Sequence, residues 1–408
     1  MPKLASLSSL LVVAASLASA CSRSEPNPSS DRAKNSAPVS ATIKIGQTMP
    51  YSGPASAYGT IGKLQTAFFK QLNRTGGIKG KKVELVTLDD AYSPPKAVEQ
   101  VRKLVEQDTV LAIFQPLGTP SNAAIHKYLN AKKIPQLFAA TGASQWNDPE
   151  HFPWTMGFNI NYVDEGRVYG RYIADNQPSA KIAILFQNDD YGKDYSKGLK
   201  EGLGEKAKLI VAEASYEVSD PTVDSQIATL KGSGADTFVN VTTPKFAAQA
   251  IRRAYDIGWK PTEYLNNVSA SVGSVLTPAG LEKAVGLVTI AYYKDPTDKQ
   301  WADDAGMKEW REFMTKEYPE GNLDDGVNVY AYIAAQTLVQ VLKQCGDDVT
   351  SENIMRQAAN LKDFAPAQLL PGIKINTGPK DYVLFDQLQL ARFDGKSWVP
   401  FGPVLGVR

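Results

Sequence analysis

The chain holds 408 residues, 43% of them hydrophobic, with 44 Lys plus Arg against 43 Asp plus Glu. That length supports two domains with separate cores, while the near-zero net charge excludes a basic field for nucleic acid or a cationic cluster for a membrane surface. Two cysteines in all exclude a fold held together by disulfides.

Residues 1–20 read as a secretory leader, with Lys3 at the charged start, an apolar run from Leu4 to Leu17, and small residues before Cys21. The run is too short for a mature membrane span. Ala18-Ser19-Ala20-Cys21 is similar to a bacterial lipobox, with alanine where that motif usually carries leucine. Lipidation of Cys21 is the expectation, and ordinary cleavage beside a chance cysteine is the alternative. Residues 21–41 are Ser, Pro, Asn, Ala and charge, a composition that buries too little apolar surface to fold and suits a tether.

The folded pattern begins with an apolar strand, Ile43 to Met49, and a loop through Tyr51, Gly53, Pro54, Tyr58 and Gly59 into an amphipathic helix carrying Leu64, Ala67, Phe68 and Leu72. A strand follows from Val83 to Leu88, then a helix from Pro95 to Gln107 and a strand from Val110 to Phe114. A helix from Ala123 to Leu129 and a strand from Ile134 to Phe138 complete the first set. Short apolar strands alternating with amphipathic helices imply an α/β fold with parallel sheets covered on both faces. The aromatic stretch from Trp146 to Phe158 breaks this alternation and is expected to lead into a second lobe.

The pattern restarts with a helix from Val163 to Asp175 and strands at Lys181 to Phe186, Leu209 to Ala214, Thr237 to Val241, Glu263 to Leu265 and Val285 to Ala291. Between them lie a helix after Asn188-Asp-Asp-Tyr-Gly192 and helices at Val223 to Lys231 and Lys245 to Ile257. Long helices at Trp301 to Tyr318 and Val327 to Gln344 return to the first lobe, and the tail crosses again near Pro371. The expected units are two Rossmann-like lobes, 42–160 with 292–371 and 161–291 with 372–408, joined by a three-segment hinge. Such a hinge produces a cleft that can close on a solute.

Signals for catalysis are weak. His126 and His151 lie in unrelated segments, and neither has the spacing of a metal site. No nucleophile elbow, phosphate loop or dinucleotide fingerprint occurs, so no cofactor is expected. Asp89-Asp90 and Asp189-Asp190 sit at strand ends, where acid/base roles compete with capping and turn formation. Cleft signals are better: Gly118-Thr119 and Ala139-Ala-Thr141 are small and hydroxylated residues at neighbouring strand ends. A loop entering a helix there presents free amides to an anion, although both threonines could instead serve as caps.

The runs Asn73-Arg-Thr-Gly-Gly-Ile-Lys-Gly-Lys-Lys82, Asp89-Asp-Ala-Tyr-Ser-Pro-Pro95 and Asp190-Tyr-Gly192 resemble the leucine/isoleucine/valine-binding family of periplasmic solute-binding proteins, which serve ABC importers. The resemblance runs from about Ile43 to the C-terminus. It implies a bilobed monomer without enzymatic activity, located in the periplasm or on the outer face of the cell membrane, which delivers a small carboxylate to an inner-membrane permease. Carried over, Gly118, Thr119, Ala139 and Thr141 would hold the carboxylate, with glycine at 118 where the family usually has serine. Tyr58 and Tyr191 would close over the ligand from opposite lobes. Where amino-acid-binding members place an acid for the ammonium, this chain has Val268 or Ser269. A zwitterion would then need Asp164, Glu165 or Asp190 as a substitute, so the resemblance points to a carboxylate with an uncharged body, such as an aromatic acid. Trp146, Trp154, Phe158 and Tyr162 near the crossover suit an aromatic ring. The alternatives are an amino-acid binder, a sensory module, or a hydrolase on the same scaffold using Asp89 or Asp190.

Overall fold

Strand β1 (Ile43–Met49) is buried over almost all its length and leads through a loop that ends in a 3-10 turn (Ser56–Gly59) into α1 (Thr60–Arg74). These belong to the computed structural model of the protein, which describes residues 42–407. The leader, the tether and Cys21 lie outside the described residues. Next come β2 (Val83–Asp89) and α2 (Pro94–Glu106). Helix α2 opens on proline, whose missing N–H is no loss at a first turn, and it buries Ala97, Val101 and Leu104 along one stripe. Then β3 (Ile113–Phe114), α3 (Thr119–Lys132), β4 (Gln136–Ala139) and β5 (Thr155–Gly157) complete a five-stranded parallel sheet in the order β2-β1-β3-β4-β5.

The second half runs through α4 (Tyr162–Asn176), β6 (Ile182–Gln187), α5 (Asp190–Leu203), β7 (Ile210–Tyr216), α6 (Asp224–Gly232), β8 (Thr237–Val241), α7 (Pro244–Asp256) and β9 (Thr262–Leu265). A short turn of helix, α8 (Thr277–Ala279), precedes β10 (Val288–Ala291). Helices α9 (Ala305–Glu317) and α10 (Gly326–Gln344) return to pack beside α1, followed by α11 (Ser351–Ala358). Strands β11 (Gln387–Phe393) and β12 (Trp398–Gly406) then join the second sheet, whose order is β12-β11-β10-β9-β8-β6-β7. The chain therefore passes between sheets after β5, after β10 and between α11 and β11.

Three features depart from the sequence pattern. The aromatic stretch does not lead straight across, because Thr155–Gly157 first adds a fifth strand against β4. The second sheet is not wholly parallel: β11 runs antiparallel to both β10 and β12. Its Gln387-Leu-Gln-Leu alternation is a two-residue period hidden in a tail rich in Gly and Pro, and prolines 400 and 403 fit β12 because it is an edge. Helix α3 begins at Thr119, four residues before the expected Ala123, because Gly118 at φ 95 turns the chain and Pro120 suits the first turn.

Helices α4 and α5 approach more closely than ordinary side chains allow. A Cβ on Gly198 would stand 2.0 Å from the Val163 carbonyl oxygen, and one on Gly202 would stand 2.2 Å from that of Arg167. Gly166 and Gly170 on α4 meet Tyr195 and Leu199 in the same way. This contact fixes how the first turns of both helices face the region between the sheets. Cys345 caps the end of α10 as a buried free thiol, pushed up to about 11 by burial.

Candidate functional site

Loops at the carboxyl ends of strands from both sheets enclose a cavity of about 630 Å³, mouth included. One wall carries Tyr58, Tyr92, Leu117, Gly118, Thr119 and Ala140, and the other carries Tyr191, Thr243, Asn267 and Val268. Tyr162, Tyr292, Tyr293 and Tyr330 line the space between them, with Asn159 beside them. No Asp, Glu, Lys, Arg or His is among the lining residues. Burial raises the hydroxyls of Tyr58, Tyr92 and Tyr191 well above the ordinary tyrosine range, so these groups are neutral hydrogen-bonding groups.

Helix starts converge on this space. Thr119 is the first residue of α3, Tyr162 the first of α4, Tyr191 the second of α5, and Thr243 the N-cap of α7. The amides of a first turn lack intrahelical acceptors and carry the positive end of the helix dipole. On α4 the Asn161 side chain accepts from the Val163 N–H, and on α5 Asp189 accepts from that of Gly192. The starts of α3 and α7 have no side-chain cap. Open helix starts therefore meet at a cavity whose lining holds no cationic side chain, an arrangement that can take a carboxylate through backbone amides.

The walls are in contact. Tyr58 donates its hydroxyl proton to the Val268 carbonyl at 2.9 Å, and Ser271 donates to Asp325 at 2.7 Å. The Ser144 N–H donates to Asp194 at 2.7 Å across the same divide. These bonds hold a closed cleft.

Of the residues singled out in the sequence, Tyr58, Gly118, Thr119, Tyr191 and Val268 line the cavity. Ala139, Thr141 and Ser269 lie one layer behind it. Ala139 ends β4, and its carbonyl accepts from Thr141 and Phe158 at 2.8 and 3.0 Å, while Ala140 takes the wall position. Thr141 holds its hydroxyl 2.6 Å from that of Thr119 and accepts from the Trp146 indole. Ser269 donates to the Thr242 carbonyl. Among the crossover aromatics only Tyr162 reaches the cavity; Trp146 and Phe158 are core. Tyr92, Asn159, Asn267, Tyr292, Tyr293 and Tyr330 were not singled out, and no spacing in the sequence groups them.

The acids that would have to answer an ammonium are engaged elsewhere. Glu165 is fully buried and accepts from the hydroxyls of Tyr169 and Tyr195, each at 2.7 Å, and from the Asn267 N–H at 2.9 Å and its side-chain amide. Burial raises its carboxyl to about 6 against these donors. Asp164 pairs with Arg167, and Asp190 is exposed. Asp89 accepts from the amides of Tyr51, Ser52 and Ala91, so the strand-end acids serve as loop clamps and caps. His126 packs against Trp146 and Phe152, and burial lowers it to about 4. Among the described residues no cluster is placed to hold a metal, and no helix is long and apolar enough to cross a membrane.

The sequence matches the periplasmic binding protein family over residues 42–397. It is 24% identical over 322 residues to Leu/Ile/Val-binding protein homolog 7 of Brucella abortus, covering 76% of this chain and 78% of that one. The fold is similar to that of a branched-chain amino acid ABC transporter protein from Thermus thermophilus with bound valine, at TM-score 0.79 and 16% identity, over 90% of this chain and 96% of that one. A fatty acid ABC transporter substrate-binding protein from Thermomonospora curvata aligns at TM-score 0.72 and 23% identity, over 90% and 92% of the two chains. With two sheets closing on a cleft at their strand ends and a match spanning almost the whole folded body, the chain belongs to the periplasmic binding protein family.

Proposed function

We propose that this protein captures a small carboxylate with an uncharged body, an aromatic acid above all, and presents it to an inner-membrane ABC permease. The observation that carries this reading is a cavity walled by tyrosine rings, free of charged side chains, into which the uncapped start of α3 opens. Thr119 and the first amides of α3 would take the carboxylate, and the rings of Tyr58 and Tyr191 would cover the body of the ligand from the two walls. An ammonium placed in the same space would meet no anion, at a cost of several kcal/mol by the usual penalty for an unpaired buried charge. A fatty acid, the class named for the Thermomonospora curvata neighbour, is likewise a carboxylate without an ammonium.

The second reading is a branched-chain amino acid, favoured by the names of the Brucella relatives and by the valine in the Thermus structure. Tyrosine and asparagine oxygens would then have to serve the ammonium. In either case no bond is made or broken, and the ligand leaves unchanged. Export through the leader and lipidation at Cys21 belong to the same proposal, with the tether linking anchor to body.

A thermal-shift screen with leucine, valine, glutamate, benzoate, hydroxybenzoates and hydroxycinnamates tests it, since a ligand at 100 times its Kd adds about 2.7 kcal/mol. A strong response to leucine with none to the aromatic acids would overturn the choice of ligand.

A further inference from the structure

We propose that Tyr92 sets which acid the cleft accepts and that Asp90 positions it, an inference that rests on reading the cleft as a carboxylate site. Ala91 and Tyr92 lie in succession at φ 52 and 59, a left-handed pair without glycine. A left-handed conformation is costly for residues other than glycine, so the surroundings must enforce the turn. Two neighbouring carboxylates do so: Asp89 accepts from the Ala91 N–H at 2.9 Å, and Asp90 accepts from the Tyr92 N–H at 2.9 Å. Asp89 also holds Tyr51 and Ser52, which ties the turn to the loop that carries Tyr58.

The turn lays the Tyr92 ring over Gly118 at the start of α3. A Cβ at 118 would stand 2.4 Å from the ring edge, so tyrosine at 92 and glycine at 118 form one unit. The ring is 8% exposed and lines the cavity. Its hydroxyl lies 3.5 Å from the Gln187 side-chain amide on the opposite wall, and that amide donates to Asp189 at 2.6 Å. Among the described residues the Tyr92 O–H has no acceptor. Its proton is therefore free for an anion held at α3, and the ring limits how far the ligand body can extend along that wall.

The test is calorimetric titration of the full chain with benzoate, 4-hydroxybenzoate, 4-hydroxycinnamate and leucine. Tyr92→Phe is expected to weaken the tightest acid about tenfold, the usual worth of one hydrogen bond to a charged acceptor. Tyr92→Ala is expected to shift the preference from benzoate toward 4-hydroxycinnamate by about tenfold, on the order of the discrimination one pocket wall supplies. Asp90→Ala moves that ratio in the same direction, whereas Asp90→Asn retains the acceptor oxygen and the wild-type ratio. A ratio between acids is not moved by a general loss of stability, and the two Tyr92 variants decide the matter if Asp90→Ala does not fold. If wild type binds an acid while both Tyr92 variants match its constants and its ranking, the inference falls alone. If wild type answers none of the probes, or leucine only, the reading of the cleft as a site for an acid with an uncharged body falls and takes the inference with it.

Discussion

The two walls of the cleft present helix starts to the same space, and most of those on one wall are sealed while the one on the other is not. On the wall built by the second sheet, α4 and α5 are locked together by glycine contacts, and Asn161 and Asp189 cap their first turns. There α7, with Thr243 as its N-cap, is the start without a side-chain cap, and the wall offers the rings of Tyr162 and Tyr191. On the wall built by the first sheet, α3 starts without a side-chain cap beneath the ring of Tyr92. Thr119 lines the cavity there, with its hydroxyl 2.6 Å from that of Thr141 behind it. A helix start sealed by its own side chain stabilises the fold, and one left open keeps its amides available to water or a ligand.

The harshest break in that contrast is Gly198→Ala. A methyl group 2.0 Å from a carbonyl oxygen forces α4 and α5 apart, and thermal unfolding should show a loss of about 3 kcal/mol. Unchanged melting would mean that the helices are not welded there. Next is Glu263, buried in β9 with the Asn240 side chain as partner and raised from 4.5 to about 7 by burial. Because the folded state holds a proton that the unfolded chain releases near pH 4.5, this contribution is complete below that pH and disappears as pH rises through about 7. Glu263→Gln should match wild type near pH 4.5 and exceed it by about 2–3 kcal/mol at pH 8 in denaturant titrations. A difference that stays constant with pH would refute the assignment.

Thr119→Ala against Asn161→Ala sharpens the comparison directly. The first should weaken a bound acid by about 1–2 kcal/mol with little change in melting. The second should lower stability by about 1 kcal/mol through loss of the cap. Similar behaviour of the two variants in both assays would erase the distinction between the walls. The smallest effect is expected from Tyr58→Phe, which removes the 2.9 Å bond to Val268 and should favour the open form by about 1 kcal/mol. Small-angle scattering of the ligand-free protein would register this as a larger radius of gyration, and an identical curve would show that the bond does not hold the walls.

Much of this was legible in the chain because the signals are local. Strand β1, helix α2 and helix α4 follow from apolar periodicity, Gly118 and Thr119 from their place at a strand end, and Tyr58, Tyr191 and Val268 from the resemblance to the Leu/Ile/Val-binding family. Thr141 has the same residue type at an equivalent end, yet it stands behind Thr119, with its hydroxyl engaged by the Ala143 N–H and the Trp146 indole. Tyr92, Tyr292 and Tyr330 escaped notice because their segments are far apart in sequence and meet only around the cavity. The glycine spacings 166/170 and 198/202 are visible in the sequence, but nothing local indicates that they face each other.

The order of residues alone determined the alternation of strands and helices, and with it a pair of sheets whose loops gather at one edge, since period and turn chemistry act over a few neighbours. Tertiary packing alone decided which helix starts stay open, that four donors occupy Glu165, and that tyrosines from distant segments wall one uncharged space. These outcomes depend on distances between groups remote in the chain, and local pattern carries no information about such distances.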